Sequence, residues 1–224
     1  MATGLPPVIA IDGPSASGKG TVAQGVASTL GFHFLNSGAL YRVVALSALK
    51  FAIDLENESR LSDIALKLNA KFMGDSIEVD GIDVTDAVRT ETVSIAASRI
   101  AGLPEVRNAL LKRQRAFRQP PGLVADGRDM GSVVFPDAVL KIFLTASPET
   151  RAERRYKQLM EKGLGANMAA LLQDIRERDQ RDSARAAAPL KKSADAVLID
   201  TTHSSAADAI AQVLALYKQV PRAP

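Results

Sequence analysis

The stretch Val8-Ile9-Ala10-Ile11-Asp12-Gly13-Pro14-Ser15-Ala16-Ser17-Gly18-Lys19-Gly20-Thr21 decides how this chain folds. It opens with an apolar run that predicts a buried strand, continues through a turn framed by Gly13 and Gly18, and leads into a helix that begins near Lys19. Glycine permits backbone angles and close approaches that a side chain would block. A helix N-terminus reached through such a turn presents its N–H groups and the positive end of its dipole to an anion. We therefore expect residues 13–21 to bind the phosphates of a nucleoside triphosphate.

The spacing within this stretch is G-x-x-x-x-G-K, which places Lys19 to reach the outer phosphates as a compact positive charge. Gly20 stands where the usual motif has Ser or Thr, and Thr21 comes one place later, so the hydroxyl expected to serve magnesium is displaced. The alternative is an ordinary surface turn rich in glycine and serine. The agreement of strand, spacing and lysine argues against that alternative.

The composition is typical of a globular protein, because 46% of the 224 residues are hydrophobic and 24% are charged. No apolar run approaches the length of a membrane span, so we expect no membrane association. The chain has no cysteine, which excludes disulfides and thiolate metal sites and favours the cytoplasm. The two histidines, His33 and His203, lie far apart in sequence, and we expect no metal site built on them.

The net charge of +3 is mildly basic and leaves two interpretations open. Binding to a nucleic acid would account for it, and so would arginines gathered around a small phosphorylated substrate. An aromatic content of 4%, without tryptophan, argues against a platform on which single-stranded bases stack.

Short apolar runs bounded by turn residues alternate with helical periodicity, which predicts an α/β fold with a parallel sheet flanked by helices. The predicted strands lie near Val8–Asp12, Phe32–Leu35, Leu123–Asp126, Leu140–Leu144 and Ala196–Asp200.

Two segments interrupt this alternation. Between about Arg60 and Ser98, a helical pattern is followed by alternating residues around Gly74-Asp75 and Asp80-Gly81, which predicts an insertion of small antiparallel strands. Farther along, Glu161–Asn167 is a glycine-bearing break between two charged helices. It predicts a moving lid, with an ordinary helix–helix connection as the alternative.

A second anion site is predicted after the second strand, in Asn36-Ser37-Gly38-Ala39-Leu40-Tyr41-Arg42. Asn36 or Ser37 can cap the next helix, and Arg42 follows one turn later. Open α/β sheets bind ligands beyond the carboxyl ends of their strands. Beside a phosphate loop, a second phosphate site is a better interpretation than a plain capped helix with a solvated arginine.

The segment Leu123-Val124-Ala125-Asp126-Gly127-Arg128-Asp129 puts further charged groups at a strand end. Asp126 closes the buried strand, where a carboxylate can hold magnesium or its waters. Arg128 offers a planar fork for a phosphoryl group, and Asp129 follows it. The alternative is that Arg128 and Asp129 only pair with other charges.

A third group of charges lies on the helix that contains Arg178, Arg181, Asp182 and Arg185, which are spaced i, i+3, i+4 and i+7 on one face. Three guanidinium groups on one stripe repel each other unless an anion joins them, and a transferring phosphoryl group is such an anion. A solvated charged helix is the alternative. The helix from Pro104 to Arg118 is also basic, but nothing in the residues alone distinguishes Arg107.

Together these segments resemble the bacterial cytidylate kinases, a family within the nucleoside monophosphate kinase group of P-loop enzymes. The matching segments are residues 11–21, 36–42, 125–131, 134–138 and 178–182, so the likeness spans nearly the whole chain. The phosphate loop is shared by many kinases, whereas Asp126-Gly127-Arg128-Asp129-Met130-Gly131 and the long insertion are far more discriminating. Glycine after the loop lysine is usual in this group. Asn36 is a departure, since family members commonly have Asp there.

The resemblance implies that the γ-phosphoryl group of ATP is transferred to CMP or dCMP with Mg²⁺, by a monomer without nucleic-acid partners. It implies a five-stranded parallel core in residues 1–36, 99–153 and 168–224. Residues 37–98 would form the monophosphate-binding region with the inserted strands, and residues 154–167 the lid.

The resemblance also implies roles for individual residues. ATP would bind to the loop Gly13, Pro14, Ser15, Ala16, Ser17, Gly18, Lys19, Gly20 and Thr21. Catalysis would fall to Lys19, Arg128, Arg181 and Arg185. The acceptor phosphate would bind to Ser37, Arg42 and Arg128, the cytosine to Ser98, Arg107 and Asp129, and the ribose side to Arg178 and Asp182.

Three other readings of the sequence stay open. A different small-metabolite kinase, of the UMP/CMP, adenylate or shikimate type, is the nearest. A P-loop GTPase is disfavoured because no N-K-x-D segment that reads guanine is present. A basic nucleic-acid-binding protein is the alternative that is not an enzyme; it predicts oligonucleotide binding with a steep salt dependence and no turnover.

Overall fold

The computed structural model describes residues 4–74, 76–161, 163 and 165–221. In chain order its strands and longer helices are β1 (Val8–Asp12), α1 (Lys19–Leu30), β2 (His33–Asn36), α2 (Ser37–Lys50), α3 (Glu58–Lys67), β3 (Ala70–Met73), β4 (Ser76–Val79), β5 (Ile82–Asp83), α4 (Glu91–Ile100), α5 (Pro104–Ala116), β6 (Leu123–Gly127), β7 (Leu140–Thr145), α6 (Pro148–Glu161), α7 (Met168–Ala184), β8 (Val197–Asp200) and α8 (Ala206–Gln219). The chain forms two compact units. The first comprises Met1–Leu35 with Phe117–Pro224, and the second comprises Asn36–Ala116.

The first unit is built around a five-stranded sheet with the strand order β2-β6-β1-β7-β8. Strand β1 pairs in parallel with β6 and with β7, and β7 pairs in parallel with β8. Every residue of β1 and of β6 is buried, as expected for central strands that helices cover on both faces. The predicted five-stranded parallel sheet flanked by helices is therefore confirmed.

The hydrophobic core of this unit determines where α1 lies on the sheet. Val22 and Val26, one turn apart on α1, are fully buried together with Ile11 of β1, Leu144 of β7 and Val213 of α8. Packing of α1 on the sheet fixes its N-terminus at the carboxyl end of β1. In the register of β1 with β6, Asp12 lies beside Gly127. The loops that follow these two strands thus leave the sheet side by side.

The second unit contains helix pairs and a small sheet. Helix α2 packs against α4, and α3 packs against α5. Strands β3, β4 and β5 form an antiparallel sheet, which confirms the predicted insertion. At the turn between β4 and β5, Asp80 and Gly81 have φ values of 51° and 80°, as a tight hairpin turn of type I′ requires. At the other predicted turn, Gly74-Asp75, Asp75 lies outside the described residues.

The second unit extends farther along the chain than the boundary expected after residue 98. Helix α5 belongs to it because it packs against α3 of the same unit. The assignment of functions to these parts of the chain remains a prediction.

The predicted lid, residues 154–167, includes the last part of α6, which ends at Glu161, and the residues between it and α7, which begins at Met168. Asn167 caps α7 by accepting a hydrogen bond from the N–H of Ala170 at 3.0 Å. Lys162 and Leu164 lie outside the described residues, and the lid function stays a prediction. Over the part of the chain that the structure describes, no helix combines the length and apolar character of a membrane span.

Candidate functional site

The loop between β1 and α1 has a shape that depends on glycine. At Gly13 an added Cβ would lie 2.0 Å from the carbonyl oxygen of Leu144, so that no side chain fits there. Gly18, the residue before α1, is left-handed with a φ of 89° and caps the helix without a side-chain hydrogen bond. Ala16 is also left-handed, with a φ of 57°. The loop therefore brings backbone N–H groups to the start of α1, as an anion site requires.

Lys19 lies buried at the base of this loop. Its Nζ donates a hydrogen bond to the carbonyl oxygen of Pro14 at 2.9 Å and lies 4.0 Å from Oδ1 of Asp126. Burial, together with the charges of Arg128 and Arg178 and against the opposing effect of Asp126, lowers the pKa of Lys19 from 10.5 to about 7. A polyphosphate in the loop would add negative charge next to this group and favour its protonated form.

The structure gives a physical reason for glycine after the loop lysine. A Cβ at Gly20 would lie 3.3 Å from Oδ2 of Asp126, tighter than ordinary van der Waals contact. Glycine thus lets the carboxylate at the end of β6 approach the first turn of α1. Thr21, the next residue along α1, is exposed. Among the described residues no group of three or more His, Cys, Asp or Glu could hold a metal ion.

Asp12, the last residue of β1, joins the phosphate loop to the segment after β6. Its two carboxylate oxygens accept hydrogen bonds from the N–H groups of Met130 and Gly131 at 2.8 and 2.9 Å. These bonds lower its pKa, but burial outweighs them and, with the negative charge of Asp129, raises the pKa to about 7. From the sequence, Asp12 was assigned no role of its own. A carboxyl group at the end of an otherwise apolar, buried strand is unusual, and it could have indicated a functional or structural contact.

Asp182 on α7 binds two of the predicted arginines, Arg128 and Arg185. Its Oδ2 accepts a hydrogen bond from Nε of Arg128 at 2.9 Å, and its Oδ1 accepts one from Nη2 of Arg185. Only 1% of the Asp182 surface is exposed. Burial alone would raise the pKa of Asp182, but the charges of Arg128, Arg185 and Arg178 hold it below its ordinary value. The two guanidinium groups are thereby fixed before any ligand binds.

Arg181 is more exposed than Arg178, Asp182 and Arg185, with which it was expected to share one helix face. Its side chain is 41% exposed and lies 3.9 Å from the carboxylate of Glu177 on the same helix. At about 100° per residue, positions 178, 182 and 185 fall within a narrow stripe and position 181 lies beside it. A catalytic role for Arg181 stays a prediction.

Two arginines of α6 contact the phosphate loop, and sequence reasoning singled out neither for that purpose. Arg154 donates from Nη1 to the carbonyl oxygen of Ser17 and to the hydroxyl of Thr201, each at 3.0 Å. Arg151 donates from Nη1 to the carbonyl oxygen of Ser15 at 3.2 Å. The outer carbonyl groups of the loop are thus bound by cations, which leaves its N–H groups as the side offered to a ligand.

In the second unit, Ser37 is the buried first residue of α2. Asn36 caps this helix by accepting a hydrogen bond from the N–H of Ala39 at 3.1 Å, so the amide oxygen serves as the N-cap acceptor. Arg42 donates to the carbonyl oxygen of Val88 and to the hydroxyl of Ser94, each at 3.4 Å.

The two other candidates in this unit lie on α4 and α5. Ser98 is buried on α4. Arg107 on α5 donates from Nη1 to the carbonyl oxygen of Ala101 at 3.2 Å. The structure places Ser37, Arg42, Ser98 and Arg107 in the second unit and the candidates around Lys19 and Asp182 in the first.

The comparisons with known proteins agree with these motifs. A sequence model of the family described as "Cytidylate kinase" matches residues 9–219. A protein of Burkholderia pseudomallei named "Cytidylate kinase" is 56% identical over 214 residues, which cover 96% of this chain and 94% of that protein. A protein of the same name from Burkholderia vietnamiensis is 58% identical over 212 residues, 95% of this chain and 93% of that protein.

A solved structure supports the fold alone. The crystal structure of an uncharacterized protein from Eubacterium ventriosum has a TM-score of 0.50 and 13% sequence identity with this chain. The likeness covers 95% of this chain and 99% of the other.

Proposed function

The chain belongs to the cytidylate kinase family, and on that premise we propose that it transfers the γ-phosphoryl group of ATP to CMP or dCMP, giving CDP or dCDP. One observation carries the proposal: the family match extends over residues 9–219 and so includes the phosphate loop and the cluster around Asp182. The proposed reaction takes place in the cytoplasm, on a monomer, with small-molecule substrates.

ATP is proposed to bind with its phosphates in the loop of residues 13–21. Lys19, buried at the base of this loop, would neutralise the outer phosphates. Asp126 supplies one buried carboxylate beside Lys19, which fits Mg²⁺ because this ion is usually bound by one or two carboxylates together with substrate phosphates. When bound, Mg²⁺ supplies additional positive charge to the phosphates that react.

The acceptor nucleotide is assigned by resemblance to the family, in three parts. We propose that its phosphate binds to Ser37, Arg42 and Arg128. We propose that its cytosine is recognised by Ser98, Arg107 and Asp129, and its ribose by Arg178 and Asp182. Discrimination between cytosine and uracil would then depend on a few hydrogen bonds to buried polar groups.

The mechanism asks for positioning and charge neutralisation rather than covalent chemistry. The acceptor is already an anionic phosphate oxygen, so no general base is needed to activate it. Two polyanions must be held in line while their repulsion is neutralised. Asp182 contributes by fixing the guanidinium groups of Arg128 and Arg185, so that these donors need little reorganisation when charge develops in the transition state.

The first experiment measures ATP-dependent diphosphate formation with CMP, dCMP, UMP, AMP, GMP and shikimate, in the presence of magnesium. A strong preference for CMP and dCMP is the expected result. Transfer to another acceptor would retain the kinase mechanism and refute the assignment of cytosine recognition. Absence of transfer to every acceptor would refute the proposed function, and salt-dependent oligonucleotide binding without turnover would favour the nucleic-acid alternative.

Two variants test which arginines of α7 and its C-terminal end act on the phosphoryl group that is transferred. Arg185→Ala should lower kcat by roughly 10²-fold or more, on the scale of losing one donor to the transition state. Near-normal turnover would remove Arg185 from the reacting centre. Arg181→Ala is the matched comparison on the same helix: a loss of similar size would support a catalytic role for the exposed Arg181, and normal turnover would exclude one.

A further inference from the structure

Arg151, near the start of α6, is a buried cation that binds three different parts of the first unit. Only 3% of its surface is exposed. Its Nε donates to the carbonyl oxygen of Ala146 at 2.9 Å, and its Nη1 donates to the carbonyl oxygen of Ser15 in the phosphate loop at 3.2 Å. Both Nη atoms also bind the carboxylate of Asp179 on α7, at 2.9 and 2.5 Å. A bidentate pair of this kind fixes orientation as well as distance.

Asp179 links this contact to the cluster that is proposed to act on phosphate. It is the neighbour of Arg178 on α7 and lies about one turn before Asp182, roughly 4.5 Å along the helix axis. Asp182 in turn binds Arg128 and Arg185. A displacement of α7 at position 179 therefore moves Arg178 and Asp182, and with Asp182 the acceptor that holds Arg185, relative to the phosphate loop.

We propose that Arg151 and Asp179 are positioning residues for phosphoryl transfer. Arg151 binds the backbone of the phosphate loop and Asp179 at once, so that α7 presents Arg185 and Asp182 at a fixed distance from Lys19. Neither residue of the pair touches the reactants in this scheme. The inference rests on the proposed kinase function, and it goes beyond that function by naming the contact that sets the geometry of the charged groups.

The pair has a purely structural alternative, in which it only stabilises the packing of α6 on α7. Under that alternative, breaking the pair lowers the melting temperature but leaves the rate of transfer unchanged at temperatures where the protein is folded. Positioning instead predicts a slower chemical step in a folded protein that still binds ATP. A misplacement of about 1 Å can cost up to roughly 10²-fold in rate.

The chain offers a matched control on the same two helices. Arg176 of α7 binds Glu149 of α6 at 2.9 Å, and both side chains are more than half exposed, at 61% and 56%. This pair has the same chemistry as the pair of Arg151 with Asp179 but lies at the surface. Substituting Arg176→Gln removes an α6–α7 ion pair without removing the buried one.

The test compares Asp179→Asn, Asp179→Glu and Arg176→Gln with the wild type. The single-turnover rate of transfer to CMP is measured by rapid quench, well below each melting temperature, and the Kd of a non-hydrolysable ATP analogue is measured beside it. We expect Asp179→Asn to lower the rate about tenfold or more. Its Kd should change by less than about threefold, since Arg151 still binds the Ser15 carbonyl oxygen.

The remaining variants make the outcome decisive. Asp179→Glu keeps a carboxylate and should recover part of the rate, and Arg176→Gln should match the wild type. A rate for Asp179→Asn equal to that of Arg176→Gln would overturn the positioning role. Absence of transfer by the wild type itself would refute the proposed function instead, so the two failures are distinguishable.

Discussion

Binding of ATP should draw a proton onto Lys19 at alkaline pH. In the free protein, burial and the nearby arginines hold the pKa of Lys19 at about 7. At pH 8 the side chain is then only about one-tenth protonated, whereas a polyphosphate beside it favours the charged form. Binding at pH 8 should therefore take up about 0.9 proton per site, and binding at pH 6, where Lys19 is already about nine-tenths charged, about 0.1.

The assay is calorimetric titration with a non-hydrolysable ATP analogue in two buffers of different ionisation enthalpy. The observed enthalpies should differ between buffers at pH 8 and nearly coincide at pH 6. By linkage, the affinity should fall by up to about tenfold for each pH unit above 7, until the pKa of the bound state is reached.

Lys19→Arg is the control for this experiment, because an arginine stays charged throughout the range and can take up no proton. The reasoning would be refuted by wild-type enthalpies at pH 8 that do not depend on the buffer. It would be refuted equally by a dependence that persists unchanged in Lys19→Arg.

Three further predictions concern the phosphate loop and the residues that support it. Because burial raises the pKa of Asp12 to about 7, the protonated carboxyl group stabilises the folded state at low pH. The free energy of unfolding should therefore fall by about 4 kcal/mol between pH 4 and pH 7. Urea unfolding at several pH values should show this decrease in the wild type and not in Asp12→Asn. Gly13→Ala should prevent stable folding, because the new Cβ would collide with the carbonyl oxygen of Leu144. Gly31 also has a positive φ but has open space around it, so Gly31→Ala should lower the free energy of unfolding by only about 1–2 kcal/mol in the same assay. Ser17→Ala should raise the free energy of unfolding of the nucleotide-free protein by about 1 kcal/mol, because the buried Ser17 hydroxyl has no hydrogen-bond partner among the residues that the structure describes. An unchanged or lowered free energy of unfolding would contradict this.

The parts of the fold that could be predicted are those whose signals are local. Central parallel strands are buried on both faces, so Val8–Asp12 and Leu123–Gly127 read as continuous apolar runs that end in a carboxylate or glycine. The turn at Asp80-Gly81 could also be predicted, because a tight hairpin needs positive φ at both residues and an Asp-Gly pair readily adopts it. The phosphate loop is itself a local pattern of glycines and a lysine.

The contacts that support the site could not be predicted in this way. Arg151 lies 136 positions from Ser15, and Asp12 lies 118 positions from Met130. Each contact follows from the strand order, which brings together segments that nothing in their own sequence relates. The exposure of Arg181 is a local matter instead: a position one residue from Asp182 on a helix is rotated by about 100°, and the Arg181 side chain is 41% exposed.

The charges around the loop show how stability and function oppose each other in this protein. Arg128 and Arg185 both bind the buried Asp182, and Lys19 lies near the buried Asp126. Burial lowers the pKa of Lys19, and the charges of Arg128 and Arg178 act in the same direction, against the opposing effect of Asp126 and Asp182. Keeping cations desolvated weakens the free protein, but it also means that they need little rearrangement when a polyphosphate arrives. Binding of ATP should thus stabilise the protein beyond its contacts with the loop, by supplying the negative charge that the cluster lacks. Neutralising Arg128 or Arg185 should reduce that gain, even where it makes the nucleotide-free protein more stable.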